Sequence, residues 1–166
     1  RLQPGMLGLR FTFFKPDETF EQDWIWGAAE AAGLPIMLLA HAQHLAMVDR
    51  AAAQHPRLRL AIDHLGIPNG KKDGEAFSHM DKLVALAKRP NIAVKTSCLP
   101  LFTTDAYPFR SLHPHIRRLY DTFGPRRMFW GSDLSRLPCT YRQAVTMFTE
   151  EIPWLAAADM ELVMGR

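Results

Sequence analysis

Short apolar runs alternate along the chain with longer segments in which apolar residues recur every three or four positions. The first four runs have the length of strands and lie at 7–13, 34–40, 58–66 and 92–97. A fifth run, at 128–130, consists of large apolar and aromatic residues, which is typical of a strand covered on both faces. We expect this last strand to end at Asp133. The pattern therefore predicts five buried strands.

A helical pattern follows each predicted strand. Apolar residues at helical spacing predict helices over about 20–32, 44–54, 75–88, 112–123, 141–148 and 159–164. Gly33 stands where a helix C-cap glycine belongs, and a turn is predicted at 15–18. The long loop 98–108 contains Leu101 and Phe102, so we expect it to lie over one end of the sheet as a lid or pocket wall.

The alternation of strands and helices indicates an α/β fold. No two predicted strands are joined by a two-residue hairpin, which favours parallel strands with right-handed crossovers. An open doubly wound sheet and part of an eight-stranded barrel both fit this pattern. A closed barrel takes about 250 residues, and the chain has 166, so five units cannot close one alone. We expect a single domain over residues 1–166.

The composition is that of a folded chain, because 48% of the residues are hydrophobic. The formal net charge is +3 and the basic residues are spread out, which predicts neither a nucleic-acid surface nor a membrane surface. The longest apolar stretch is far shorter than the roughly 20 residues that span a bilayer, and no secretory leader opens the chain, so we expect a cytoplasmic protein. Cys98 and Cys139 suit reduced thiols better than a disulfide framework.

Polar side chains recur near the same end of the predicted strands. Each strand contributes one of them: Arg10, His41, His64, Lys95 and Asp133. Because α/β enzymes place their catalytic groups at the carboxyl ends of parallel strands, we expect these residues to form one site. Two of them also have plainer explanations, since Asp133 could cap the helix that follows it and His41 could begin one.

Such a set of side chains suits hydrolysis. Imidazole nitrogens and a carboxylate can hold a divalent metal with an open position, and that metal lowers the pKa of bound water. We expect Asp133 to bind the metal or to accept the proton of water. Lys95 and Arg10 are candidate anchors for a substrate carboxylate or a developing oxyanion, and Arg136 is another.

The remaining histidines are weaker candidates. His44 follows His41 at His-x-x-His spacing, but we interpret it as a surface or helix residue. His113 and His115 have His-x-His spacing, but Pro114 begins a helix there, which argues against a metal site. No role is assigned to His55 or His79.

Four segments resemble the later strands of a known family. They read Gly-Leu-Arg-Phe at 8–11, Ile-Asp-His-Leu-Gly at 62–66, Ala-Val-Lys-Thr-Ser at 93–97 and Phe-Trp-Gly-Ser-Asp at 129–133. In order and spacing they are similar to the amidohydrolase-related (amidohydrolase family 2) TIM-barrel metal-dependent hydrolases. That family includes sugar-acid and pyrone-dicarboxylate lactonases and the aminocarboxymuconate-semialdehyde decarboxylase group. The resemblance covers nearly the whole chain and implies a partial (β/α)8 TIM barrel.

The resemblance also implies roles for single residues. Asp133 matches the carboxylate at the end of the last barrel strand, a metal ligand or general base, and His64 matches a strand-end histidine that works in catalysis. His41 falls where metal-binding members carry a histidine ligand. Arg10 falls near an arginine that faces an acidic substrate in the lactonases. The implied cofactor is a divalent metal, with zinc as the first choice and a metal-free reaction as the alternative.

The chain departs from that family because the His-x-His of the first strand, which supplies two metal ligands, is absent. We therefore expect the C-terminal part of an enzyme, about the last five of eight units. The expected activity is hydrolysis of a lactone, ester or amide in a small carboxylated compound, and a metal-dependent decarboxylase is the alternative within the fold. A hypothesis of another class is an inactive half-barrel that acts by interaction, for example as a homodimer, through open edges at Leu7 and Met128.

Overall fold

The structure is a computed structural model, and it describes residues 7–13 and 23–165. The turn predicted at 15–18 and the first residues of the predicted helix 20–32 lie outside the described residues.

One sheet of five parallel strands runs through the described residues, with the strands in chain order. The strands are β1 (Leu9–Thr12), β2 (Ile36–Leu39), β3 (Leu60–Ile62), β4 (Ile92–Ser97) and β5 (Met128–Gly131). Each strand pairs in parallel with the next one along the chain. The predicted parallel α/β sheet is confirmed.

Helices connect the strands and follow the last one. They are α1 (Trp24–Ala32), α2 (Leu45–Gln54), α3 (Asp73–Ala76), α4 (Met80–Val84), α5 (His113–Phe123), α6 (Tyr141–Thr149) and α7 (Ala157–Met164). Gly33 ends α1 in the left-handed conformation with φ 67°, as its position predicts. None of the described helices combines the length and the apolar character that a membrane span requires.

The prediction of one continuous helix over 75–88 is wrong. The segment divides into α3 and α4, with a 3₁₀ turn at 85–88, because the backbone leaves helical geometry at Phe77 and His79. Both side chains have partners outside the segment: the Phe77 ring stacks on His115 at 3.8 Å between centroids, and His79 Nε2 donates to the Leu65 carbonyl at 2.8 Å. Tertiary contacts thus override the helical periodicity.

Two strands end earlier than predicted. Strand β3 stops at Ile62, because His64 and Leu65 have φ values of 49° and 54°. Strand β5 stops at Gly131, and Asp133 lies beyond it with φ 48°. At Gly131 a Cβ atom would lie 3.1 Å from the Ser97 Cβ, so the close approach of the two strand ends favours glycine there.

The two faces of the sheet differ. One face packs against the helices and is almost completely buried; it includes Ile36, Leu38, Leu60, Ile62, Ile92, Val94 and Met128. Side chains of the other face, among them Met37, Ala61, Ala93 and Phe129, line an open cavity of about 530 Å³. Helices outside and a concave inner face correspond to a partial (β/α)8 barrel, in agreement with the expected fold.

Candidate active site

Three neighbouring strands are followed by a residue in the left-handed conformation that is not glycine. His64 follows β3 with φ 49°, Cys98 follows β4 with φ 55°, and Asp133 follows β5 with φ 48°. This conformation is uncommon for such residues and tends to occur at functional sites, where the surrounding structure holds it. It turns the chain sharply at the carboxyl edge of the sheet.

A row of three polar side chains crosses this edge. Ser97 Oγ lies 2.8 Å from His64 Nδ1, and His64 Nε2 lies 3.7 Å from Asp133 Oδ2. Ser97 and His64 are buried, while about a quarter of the Asp133 side chain is exposed. The distance of 3.7 Å exceeds that of a direct hydrogen bond, but one water or substrate oxygen beside the pair can bond to both groups.

The capping explanation for Asp133 does not hold. Asp133 precedes a 3₁₀ turn at 134–136, but its side chain makes no capping hydrogen bond. The next long helix, α6, is capped instead by Thr140, whose hydroxyl accepts from the Gln143 backbone while the Gln143 side chain accepts from the Thr140 backbone. The Asp133 carboxylate is therefore not used to begin a helix.

A buried carboxylate, Asp63, lies one residue before His64. Its two oxygens contact cations from two strands: Oδ2 accepts from Arg10 Nε at 2.7 Å, and Oδ1 lies 2.7 Å from Lys95 Nζ. Burial alone would raise the pKa of Asp63, but the bonds and charges of Lys95 and Arg10 outweigh burial and hold that pKa below its ordinary value. Asp63 is thus a fixed negative charge that two cations hold at the end of β3.

The structure gives a position to each residue that the sequence analysis selected. Arg10 and Lys95 are brought together by Asp63, and half of the Arg10 side chain remains exposed. Arg136 donates from Nη2 to Asn69 Oδ1 at 2.9 Å.

His41 Nδ1 lies 3.3 Å from the carbonyl oxygen of Gly66. Gly66 has φ 68°, and a Cβ there would lie 2.5 Å from the Ala40 carbonyl oxygen. His41 and Gly66 thus hold the turn that follows His64 against the end of β2.

The metal site is incomplete within residues 7–13 and 23–165. No group of three or more His, Cys, Asp or Glu side chains in these ranges is arranged to hold a metal ion. Of the selected residues, His64 and Asp133 approach each other to 3.7 Å. A zinc site takes three or four ligands from a protein, so these two residues are not enough. The predicted metal pair, His41 and Asp133, therefore stays a prediction.

Three contributors to the site were missed by sequence reasoning. Ser97 and Asp63 contact the selected residues directly, and His79 holds the Leu65 carbonyl next to His64. A signal existed for Asp63, because an acid in an apolar strand requires a cationic partner. Of the two interpretations of His44, the surface one is wrong, since the residue is buried and stacks on Phe13 at 4.8 Å between ring centroids. The helical one is confirmed, because His44 ends the 3₁₀ turn at 42–44.

The two thiols are free, and neither is poised as a nucleophile. Burial, together with the negative charge of Asp133, raises the pKa of the Cys98 thiol to about 11. Burial also raises the pKa of Cys139. A thiol with a raised pKa is protonated near neutral pH and reacts slowly.

The loops at the carboxyl edge are tied to one another. Asp73 accepts from the Thr103 hydroxyl at 2.9 Å, from the Thr104 backbone at 2.9 Å and from the Thr104 hydroxyl at 2.8 Å. Phe102 in the same loop is buried in the core. The predicted lid, loop 98–108, is therefore anchored at both its apolar and its polar residues.

Comparison with known proteins places this geometry in a family. The family model described as amidohydrolase matches residues 3–165. An L-fucono-1,5-lactonase from Burkholderia ambifaria is 32% identical over 130 residues, which are 70% of this chain and 43% of that protein. The chain thus spans less than half the length of this relative.

Two solved structures share the fold at low sequence identity. An amidohydrolase from Burkholderia multivorans with bound zinc has a TM-score of 0.77 at 22% identity, over 93% of this chain and 61% of that one. A 2,6-dihydroxybenzoate decarboxylase in complex with 2,6-dihydroxybenzoate has a TM-score of 0.65 at 15% identity, over 96% and 60%. At these identities the likeness shows the fold alone, and this chain covers about three fifths of each structure.

Proposed function

The chain belongs to the amidohydrolase family, and we propose that it acts in the hydrolysis of a lactone of a small carboxylated compound. The approach of His64 to Asp133 at the carboxyl edge of the sheet carries this proposal. The identity of 32% with a lactonase supports a lactone over an ester or an amide.

In the proposed reaction Asp133 is the general base. Its partly exposed carboxylate faces the His64 imidazole, so a water molecule beside the pair can reach Oδ2. Asp133 takes a proton from that water as the water oxygen bonds to the lactone carbonyl carbon. The ring C–O bond then breaks, and the leaving alkoxide receives the proton, which gives a hydroxy acid.

His64 is the proposed polar partner of the reacting oxygen. Its Nε2 lies on the Asp133 side of the ring, while Nδ1 is occupied by Ser97. A ring held on one side in this way can donate from the other side to the oxyanion that develops on the carbonyl oxygen. Donors that are fixed before the reaction stabilise such charge effectively.

Arg10, Lys95 and Arg136 are the proposed contacts of the substrate carboxylate. Two cations share the single charge of Asp63, so this cluster keeps a net positive charge. Half of the Arg10 side chain is exposed, and only its Nε is committed to Asp63 by a hydrogen bond. A guanidinium with free N–H groups binds carboxylates well.

A divalent metal does not enter this scheme, because the described residues do not by themselves fit one. Zinc is the metal to test first, because a solved structure of the same fold contains it. When bound to a hydrolase, such an ion supplies activated water and polarises a carbonyl group. Asp133, His64 and His41 are the residues of this chain that we propose would contribute to it.

The test is turnover of a panel of neutral sugar lactones and carboxylated lactones by the wild-type chain and by Asp133→Asn. We expect a product heavier by one water and a preference for carboxylated lactones. The variant should lose about 10²- to 10⁴-fold in kcat, the usual contribution of a general base. Asp81→Asn is the matched control, because Asp81 is an exposed partner of Arg118, and it should leave kcat unchanged.

The alternatives give other results. Release of carbon dioxide without ring opening would favour the decarboxylase. About one divalent ion per chain, lost in Asp133→Asn and in His41→Ala, would support the metal pair, whereas full turnover in chelator would support base-activated water. Absence of both turnover and bound metal would overturn the hydrolase proposal, and a homodimer in sedimentation would then favour the interaction hypothesis.

A further inference from the structure

Ser97 is the closest polar neighbour of the His64 ring on the side away from Asp133. Its hydroxyl oxygen lies 2.8 Å from Nδ1, and its own carbonyl oxygen lies 3.4 Å from the same atom. Ser97 is 2% exposed and is the last residue of β4. A buried strand residue of this kind has a fixed position, so it can determine which tautomer the imidazole adopts.

A neutral imidazole exists as two tautomers, each with one N–H donor and one lone pair. If Nδ1 carries the proton, it donates to Ser97, and the lone pair of Nε2 then faces the Asp133 carboxylate at 3.7 Å. Two acceptors would oppose each other. The buried Ser97 hydroxyl, whose hydrogen bond in the described part of the chain is to this imidazole, would then donate to no group there.

The other tautomer keeps the Ser97 hydrogen bond and places a donor, not an acceptor, opposite the Asp133 carboxylate, which Nε2–H can reach through one water. The Ser97 hydroxyl donates to the lone pair of Nδ1, and Nε2–H points to the Asp133 carboxylate. A buried hydroxyl that keeps its hydrogen bond is strongly preferred over one that loses it. We infer that Ser97 is a positioning residue that holds His64 in the Nε2–H tautomer, directed at Asp133.

This assignment divides the roles within the pair. His64 Nε2–H is then the donor to the carbonyl oxygen of the lactone, and Asp133 is the group that accepts the proton of water. That catalytic consequence rests on the proposed hydrolysis, but the tautomer does not. The neighbouring Thr96 offers a matched comparison, because its buried hydroxyl donates to the Phe129 carbonyl at 3.1 Å and not to His64.

The experiment is ¹⁵N NMR of the histidine rings in the wild-type chain, in chelator and at a pH where free imidazole is neutral. Wild type should show a pyrrole-type signal for His64 Nε2 and a pyridine-type signal for Nδ1. In Ser97→Ala the two signals should exchange, because only the carbonyl at 3.4 Å remains and it accepts from Nδ1–H. Ser97→Thr should restore the wild-type pattern, and Thr96→Val should not change it.

Each result decides the inference. A proton on Nδ1 of His64 in the wild-type spectrum overturns the tautomer assignment, and this measurement does not depend on whether a variant folds. An unchanged tautomer in folded Ser97→Ala also overturns it. Exchange of the signals supports it whether or not any lactone is turned over, so failure of the proposed function remains a separate result. Where wild type is active, we expect Ser97→Ala to lower kcat roughly tenfold, the effect of one hydrogen bond, with KM within about twofold.

Discussion

Asp63 joins three strands through a single side chain. It follows β3, and its carboxylate contacts Lys95 of β4 and Arg10 of β1 at 2.7 Å each. The carboxylate is fully buried, so it cannot turn to water if its partners are removed. A buried charge is tolerated only where it is paired, and here each oxygen has a cation.

We expect Asp63→Asn to lower the free energy of unfolding by about 1–3 kcal/mol. The amide keeps the shape but leaves two cations without their counter-charge, and the partial exposure of Arg10 and Lys95 limits the cost. Urea unfolding measures the change. Asp81→Asn, which removes an exposed pair, should change the same quantity by less than about 0.5 kcal/mol.

A loss no larger than that of the control would show that Asp63 does not stabilise the strand ends. Lys95→Met added to Asp63→Asn should restore part of the loss, because it removes one of the unpaired cations. Coupling between the two changes is expected for residues in contact.

Single residues show what the sequence can and cannot predict about the site. His64 and Asp133 were selected because strand ends of parallel sheets lie together, and the structure does bring them together. Ser97, Asp63 and His79 were not selected, since their importance depends on which atom faces which partner. Alternation along a strand predicts a face, but it does not predict a hydrogen bond between residues 33 positions apart.

Among the elements, loop 98–108 is the one most closely joined to the site. It begins directly after Ser97, and Asp73 at the start of α3 accepts three hydrogen bonds from Thr103 and Thr104. The backbone N–H of Thr104 is the largest of the causes that lower the pKa of Asp73, so the carboxylate is ionised near neutral pH. This contact couples the loop after β3 to the loop after β4.

We expect Asp73→Ala to loosen this loop without unfolding the sheet. The Thr104 amide loses its acceptor, and its hydrogen exchange should become roughly tenfold faster, the effect of one lost hydrogen bond. Exchange in β4 should stay unchanged. Asp121→Asn, at an exposed pair within α5, is the control and should leave the loop as it is. Equal exchange at Thr104 in both variants would show that Asp73 does not hold the loop.

Elements were predictable where local pattern and tertiary packing agree. The apolar run at 92–97 became β4 with the same bounds, and α5 differs from its prediction by one residue. The segment 75–88 is not one continuous helix, because His79 and Phe77 contact distant segments. The spacing of apolar residues within the segment carries no information about such contacts. Contacts of this kind decide where a helix is interrupted.

For the whole molecule, carboxylates join successive units around the sheet. Glu30 accepts from the Arg57 backbone and Asp49 from the Arg89 side chain, so each of these bonds joins one unit to the next. Asp105 instead accepts from the Ser111 backbone within the segment between β4 and α5. These bonds are the largest causes that lower the pKa of the three groups. With Asp63 and Asp73, five acids of the described residues have a lowered pKa.

These five acids predict how stability depends on pH. A carboxyl group with a lowered folded-state pKa binds its proton more weakly when folded, so acid favours the unfolded chain. Its contribution is complete above the ordinary values of 3.8 for Asp and 4.5 for Glu, and it is lost as the pH falls through the lowered folded-state values. We therefore expect these acids to leave the free energy of unfolding nearly constant from pH 7 to about 5 and to make it fall steeply below that. His115, whose pKa burial lowers from 6.5, adds a loss of stability as the pH falls below that value.

Urea unfolding at a series of pH values measures this dependence, and Asp63→Asn identifies its buried part. The variant should be less stable at neutral pH, and its curve should fall less steeply below pH 4, because one of the groups that bind protons on unfolding is gone. The two curves should therefore converge in acid. Parallel curves would contradict this account, since they would mean that Asp63 stabilises the sheet by its shape and not by its charge.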